Sequence, residues 1–247
     1  QTCALPISVD AFRPVIPRKR RVWFERRLGR LRRAAGEARD LDVLAGRLST
    51  NGVGVARRRL MEMLAKQRHD SRSPIRVQLD TLLESGWSAR VDRLLADLRI
   101  RRPRSRFCSF ARRRFKPMVA SFFKRADRDR LGEDDIHALR IAGKKLRYAL
   151  EIFGTVFPAR DRIQCEQSLE RLQNKLGECT DRASAAERFD RLSHDAEAGP
   201  ARDMLVALRD DEIERSVRAR RIFSTWWNPG RRRSLRRRLR RTLRRSA

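Results

Sequence analysis

Five residues between Glu133 and Glu151 stand at spacings suited to one kind of chemistry: His137, Arg140, Lys144, Arg147 and Tyr148. On a helix turning about 100° per residue they fall within an arc of about 100°. Ala142, Leu146, Leu150 and Phe153 occupy the other side. One face therefore packs, and the other presents a ladder of cations with an imidazole and a phenol. Arg171, Lys175 and Arg182 share a second stripe, interrupted by Glu178, and Arg112-Arg113-Arg114-Phe115-Lys116 followed by Lys124-Arg125 makes a third. The chemistry on offer is anion capture, since the planar fork of arginine meets phosphate oxygens two at a time. A single stripe of this kind is equally a solvated helix face, and a GC-rich genome would also favour arginine over lysine.

The whole chain tips that balance. Its 247 residues carry 61 Lys plus Arg against 31 Asp plus Glu, a formal charge of +30. Self-repulsion on this scale opposes a compact fold, and a bound polyanion relieves it. With 40% apolar residues the chain can bury a core. No window approaches the ~18 consecutive apolar residues of a membrane span, so no integral membrane association is expected. Twelve glycines, nine prolines and few aromatics argue against linker-rich and β-sandwich chains. Cys3, Cys108, Cys165 and Cys179 form no CxxC pair and show no metal-ligand spacing to His69, His137 or His194. No disulfide framework, metal or signal peptide is expected, and the location expected is cytoplasmic.

The elements that must position these groups are helical, so the expected fold is all-α. Apolar periodicity places helices at Arg18 to Ala35, Asp40 to Leu48, Val55 to Gln67, Ile75 to Glu84, Ala89 to Leu98 and Phe107 to Lys124. Others are expected at Glu133 to Phe153, Ile163 to Leu176, Asp181 to His194 and Ala201 to Phe223, with Gly177 ending one and Asp181 capping the next. Sliding the chain by 141 residues gives a gap-free internal match. Ala11 to Pro17 falls on Ile152 to Pro158. Leu28, Leu31, Gly36, Glu37, Asp40, Ala45 and Arg47 fall on Leu169, Leu172, Gly177, Glu178, Asp181, Ala186 and Arg188. The counterpart of His137 would then precede Gln1, and the segment there should resemble His137 to Ala149.

Both ends are expected to be special. Gln1-Thr2-Cys3-Ala4-Leu5-Pro6-Ile7 reads as the translation of a common sequencing adapter. Residues 1–8 are therefore expected to be non-native, the alternative being an apolar natural terminus. Residues 229–247 carry ten arginines and no acid, with Leu235, Leu239 and Leu243 at i, i+4, i+8. A disordered, solvated tail is the expected form, and a cationic amphipathic helix on an acidic surface the alternative.

The stretch His137-Ala138-Leu139-Arg140-Ile141-Ala142-Gly143-Lys144-Lys145-Leu146-Arg147-Tyr148-Ala149-Leu150-Glu151 closely resembles the signature helix of the CHAD family, the conserved histidine α-helical domain. Gly36-Glu37-Ala38-Arg39-Asp40-Leu41-Asp42-Val43-Leu44 resembles the family's other recurrent stretch. The resemblance spans about Val9 to Trp227. It implies two four-helix bundles with pseudo-two-fold symmetry, a first at about residues 9–105, a second at about 106–228, and an arginine-rich tail beyond. It also implies binding of inorganic polyphosphate by basic surfaces, with association with polyphosphate granules in some members.

Carried over, it assigns His137, Arg140, Lys144, Lys145, Arg147 and Tyr148 to the second bundle's binding surface. The other candidates are Arg171, Lys175, Arg182, Arg112, Arg113, Lys116 and Arg39. The E-x-E-x-K motif of the triphosphatase domain often fused to this family is missing here. No enzymatic activity and no cofactor are expected. Non-specific nucleic-acid binding led by the tail is the alternative function, although aromatics for base stacking are few. Glu133-Asp134-Asp135 ahead of His137 could mark a metal or acid–base site, or could complement a helix N-terminus. His137 itself could titrate into a better anion ligand in mild acid, or could hold helices together by a hydrogen bond.

Overall fold

A computed structural model describes residues 4–49, 54–100, 107–128, 131–196 and 199–244. Among these residues the fold is all-α. The helices are α1 (Ala4–Ala11), α2 (Arg18–Ser49), α3 (Val55–Asp70), α4 (Arg72–Glu84), α5 (Trp87–Ile100), α6 (Phe107–Ala126), α7 (Glu133–Ile152), α8 (Ala159–Asp195), α9 (Pro200–Trp226) and α10 (Pro229–Arg244), with a 3₁₀ turn at Gly154–Val156.

Two compact units divide the chain, and neither is continuous in sequence. The first takes residues 1–102 and 185–210, the second 103–184 and 211–247. This differs from a sequential division near residue 105, because α8 and α9 each give residues to both units. In the first unit Leu41, Leu44 and Leu48 pack with Leu60, Leu64, Phe189 and Leu205. In the second, Phe115 and Phe122 of α6, Leu139, Leu146 and Leu150 of α7, Leu169, Leu172 and Leu176 of α8, and Phe223 of α9 are fully buried. Gly143 is buried where α7 faces Phe122 of α6 and Leu172 of α8, and an added Cβ would lie in ordinary contact with them at 3.7 and 4.0 Å.

Three local expectations are corrected. The helices expected at 18–35 and 40–48 are one, as are those at 163–176 and 181–194. Gly177 and Asp181 therefore lie inside α8, where Asp181 caps nothing. Glycine's helix cost of about 1 kcal/mol is too small to stop a helix whose neighbours are buried on both sides of it. The third correction is the tail. Up to Arg244 it is folded: Leu235, Leu239 and Thr242 of α10 are buried in the second unit. Arg232 donates to the Ala126 carbonyl (3.2 Å), and Arg236 pairs with Asp127 and lies 4.3 Å from the Phe123 ring centre.

The 141-residue repeat appears in the helix boundaries. Helix α1 ends at Ala11 and α7 at Ile152; α2 starts at Arg18 and α8 at Ala159. The ion pairs repeat as well, Arg21–Glu25 (3.5 Å) matching Arg162–Glu166 (2.8 Å). The same offset sets α3 and α4 against α9, with the break at Ser71 falling on Glu212. It also sets α5 against α10, matching Arg90, Leu94, Leu98 and Arg99 with Arg231, Leu235, Leu239 and Arg240. The tail is thus the second copy of α5.

Candidate functional site

The signature helix α7 starts after Gly132 with Glu133, Asp134 and Asp135 in its first turn, where negative charge suits the exposed amides. Asp135 accepts from the Gly132 amide (3.4 Å) and pairs with Arg128, and Glu133 pairs with Arg220 of α9 (3.4 Å). These acids are helix-terminal partners. Among the described residues no group of three or more His, Cys, Asp or Glu is placed to hold a metal.

The ladder stands on the outer face as its spacing requires, in two states of readiness. Arg140 is half-buried and pairs with Asp181 of α8 at 3.1 Å. Its guanidinium runs past Gly177, where an added Cβ would lie 3.7 Å from Nη2. Arg147 donates to Gln173 of α8 (3.2 Å) and Glu151 (2.6 Å), and its guanidinium lies 4.6 Å from the centre of the Tyr148 ring. Both arginines are held in fixed planes by neighbours. His137 and Lys145 are exposed, and Lys144 is half-buried. His137 has no hydrogen-bond partner among the described residues, so it does not tie helices together.

The structure does not gather the other candidates onto this face. Arg171, Lys175 and Arg182 lie about half a turn round α8 from Gln173, turned from α7. Arg182 instead pairs with the buried Glu212 of α9 (3.3 Å), and Lys175 with Glu178 (3.3 Å). Arg171 is exposed. On α6, Arg113 and Lys116 are exposed and Arg112 half-buried. Arg39 is exposed on α2, in the first unit.

Sequence reasoning left one cationic face out of its candidates. Arg237, Arg240, Arg241 and Arg244 of α10 line one open depression. They follow a helical i, i+3, i+4, i+7 pattern, all exposed, and among the described residues no acid pairs with any of them. Extending the 141-residue match to residues 90–99 would have exposed α10 as a packed helix with a fixed outer face. Beneath it, Cys165 lies 3.7 Å from the Thr242 hydroxyl, and burial pushes its thiol up to about 11; burial does the same to Cys179. Neither thiol is a nucleophile near neutral pH.

Among the described residues no helix is long and apolar enough to cross a membrane. No curated protein matches the chain. Among solved structures it is similar to the CHAD domain from the plant Ricinus communis, at 20% identity and a TM-score of 0.69, covering 97% of this chain and 78% of the other. That likeness concerns the fold. The model of the CHAD domain family matches residues 9–190, and this chain belongs to that family.

Proposed function

We propose that the protein binds inorganic polyphosphate along basic helix faces of its second unit, acting by binding rather than catalysis, in the cytoplasm and at polyphosphate granules. CHAD domains are associated in general with polyphosphate-related proteins. The observation that carries the reading is the α10 face. Four arginines with no acidic partner among the described residues stand on a helix anchored by buried Leu235 and Leu239. A flexible polyanion can follow such a row without base recognition, releasing its counterions as it binds. On α7, Arg140 and Arg147 are held in place by Asp181, Gln173 and Tyr148, and Lys144, Lys145 and His137 complete a second row. Arg171, Lys175, Arg182, Arg112, Arg113, Lys116 and Arg39 supply field more than contact, since they point in several directions.

The test is a competition titration of labelled polyphosphate against duplex and single-stranded nucleic acid at matched phosphate concentration, across a salt series. Changing Arg237, Arg240, Arg241 and Arg244 together to Gln should flatten the slope of log affinity against log salt by about three. Changing Lys144 and Lys145 to Ala should flatten it by about one to two. Preference for nucleic acid over polyphosphate in the unaltered chain would replace this reading with non-specific nucleic-acid binding.

A further inference from the structure

The first unit holds a pocket of about 300 Å³ lined by Lys19, Arg20, Trp23 and Phe24 of α2 and Arg90 and Arg93 of α5. Four cations face it. Among the described residues the one carboxylate paired with them is Asp97, 2.6 Å from Arg20; the Arg20 guanidinium also donates to the Arg93 carbonyl.

The placement of these cations runs against helix electrostatics. Helix α2 opens with Arg18-Lys19-Arg20-Arg21 and no acid in its first turn, at the end where unpaired amides already carry positive potential. The repeat shows what the position takes elsewhere: Asp161 in the first turn of α8 is the counterpart of Arg20. The first unit thus carries a cation in the register where the second buries an acid. Asp97 pairs with Arg20 alone of the four pocket cations, and a helix start flanked by further cations is a ready anion seat.

The aromatic side of the pocket narrows the choice of anion. Trp23 stacks on Trp87 with ring centres 5.9 Å apart, and Trp87 meets Phe24 edge-on at 5.0 Å. The exposed Arg90 guanidinium lies 4.6 Å from the Trp23 ring centre and is tied to the Ser85 carbonyl at 3.1 Å. A planar cation held over an indole offers a flat platform to a third ring. The volume is at the small-ligand end of the pocket range.

From this juxtaposition of a cationic helix start with a stacked Trp–Arg platform, we propose that the α2–α5 pocket binds a nucleoside phosphate. Its phosphates sit on Lys19, Arg20 and Arg93, and its base lies against Arg90 and Trp23.

The experiment titrates the full chain with ATP and, separately, with inorganic tripolyphosphate, at about 150 mM salt, following indole fluorescence. ATP should quench saturably and tripolyphosphate should not, because only the former brings a ring to the Arg90–Trp23 stack. Arg20→Asp should weaken ATP quenching by tenfold or more, and the Arg90→Ala/Arg93→Ala double variant by a similar factor, at unchanged helix content by circular dichroism. The four-arginine variant of α10 should leave it unaltered, which separates this site from polyphosphate binding. Equal quenching by tripolyphosphate, or ATP quenching that survives both α2 and α5 variants, would overturn the proposal.

Discussion

Helices α2 and α5 of the first unit and α8 and α10 of the second occupy the same registers of the repeat, yet their charges have changed places. In the first pair Arg20 of α2 meets Asp97 of α5. The counterparts in the second pair are Asp161 and Arg238, the acid now on the long helix and the cation on the covering one. The covering helices bury different groups too: α5 sets Trp87 against Phe24, where α10 sets Thr242 against Cys165. Packing tolerated the exchange because it needs only an apolar stripe on each covering helix. Everything outside that stripe was free to diverge, α5 keeping Asp92 and Asp97 and α10 becoming wholly basic.

If α10 is a bundle helix on a par with α5, removing residues 229–247 should damage the second unit. Burial of two leucines is worth about 3–6 kcal/mol. Urea unfolding followed by Trp226 and Trp227 fluorescence should show a loss of that order. An unchanged midpoint would return the segment to the status of a tail. For the same reason the binding role of α10 has to be probed with Arg→Gln changes, which leave Leu235 and Leu239 in place.

The charge exchange is tested by forcing each site to adopt the other's residue. Asp161 is buried, so Asp161→Arg places a cation in a confined site near Arg238 and Arg241 and should cost about 3 kcal/mol or more. Arg20→Asp gives up a surface ion pair and gains a helix-dipole contact, two effects of about 0.3–1 kcal/mol that oppose each other. Its stability should stay near that of the unaltered chain. Equal costs at both positions would show that the exchange is not set by burial.

Burial at Cys165 and Cys179 also sets a pH signature confined to the second unit. An unfolded thiol ionises near 9.0, whereas burial holds both protonated up to about 11 in the fold. Between those values the unfolded chain binds fewer protons, so stability is full below pH 9 and falls as pH rises toward 11. The repeat counterparts are Phe24 and Ala38, which do not titrate. Unfolding midpoints across this range should fall, and Cys165→Ala/Cys179→Ala should remove much of the slope.

How much of this was legible beforehand follows from what each signal depends on. The α7 ladder was readable because helical periodicity fixes which side chains share a face. Its engagement was not, since Asp181 and Gln173 come from another helix. The repeat was readable through Leu28/Leu169, buried in both copies, and through the identical Gly36/Gly177 and Asp40/Asp181 beyond them. It faded between α5 and α10, where only Arg90, Leu94, Leu98 and Arg99 are retained in the second copy, and composition then argued for disorder. Composition measures the solvent face of α10. Its two buried leucines decide the fold.

The finest difference between the repeats lies at their shared glycine. An added Cβ at Gly36 meets nothing within 4 Å, whereas at Gly177 it would lie 3.6 Å from the Asp181 carboxylate and 3.7 Å from the Arg140 guanidinium. Both glycines are inside helices, so Ala, which loses less backbone entropy on folding, should stabilise at each by about 0.5–1 kcal/mol. At Gly36 the gain should appear in full. At Gly177 the methyl would shield an ion pair that is partly hydrated now, which offsets the gain. Gly36→Ala should therefore raise the unfolding midpoint more than Gly177→Ala, and Arg140→Ala in the Gly177→Ala background should restore part of the difference. If the two substitutions act alike, the Arg140–Asp181 pair does not depend on the open space beside Gly177, and the glycine in that register serves α2 and α8 in the same way.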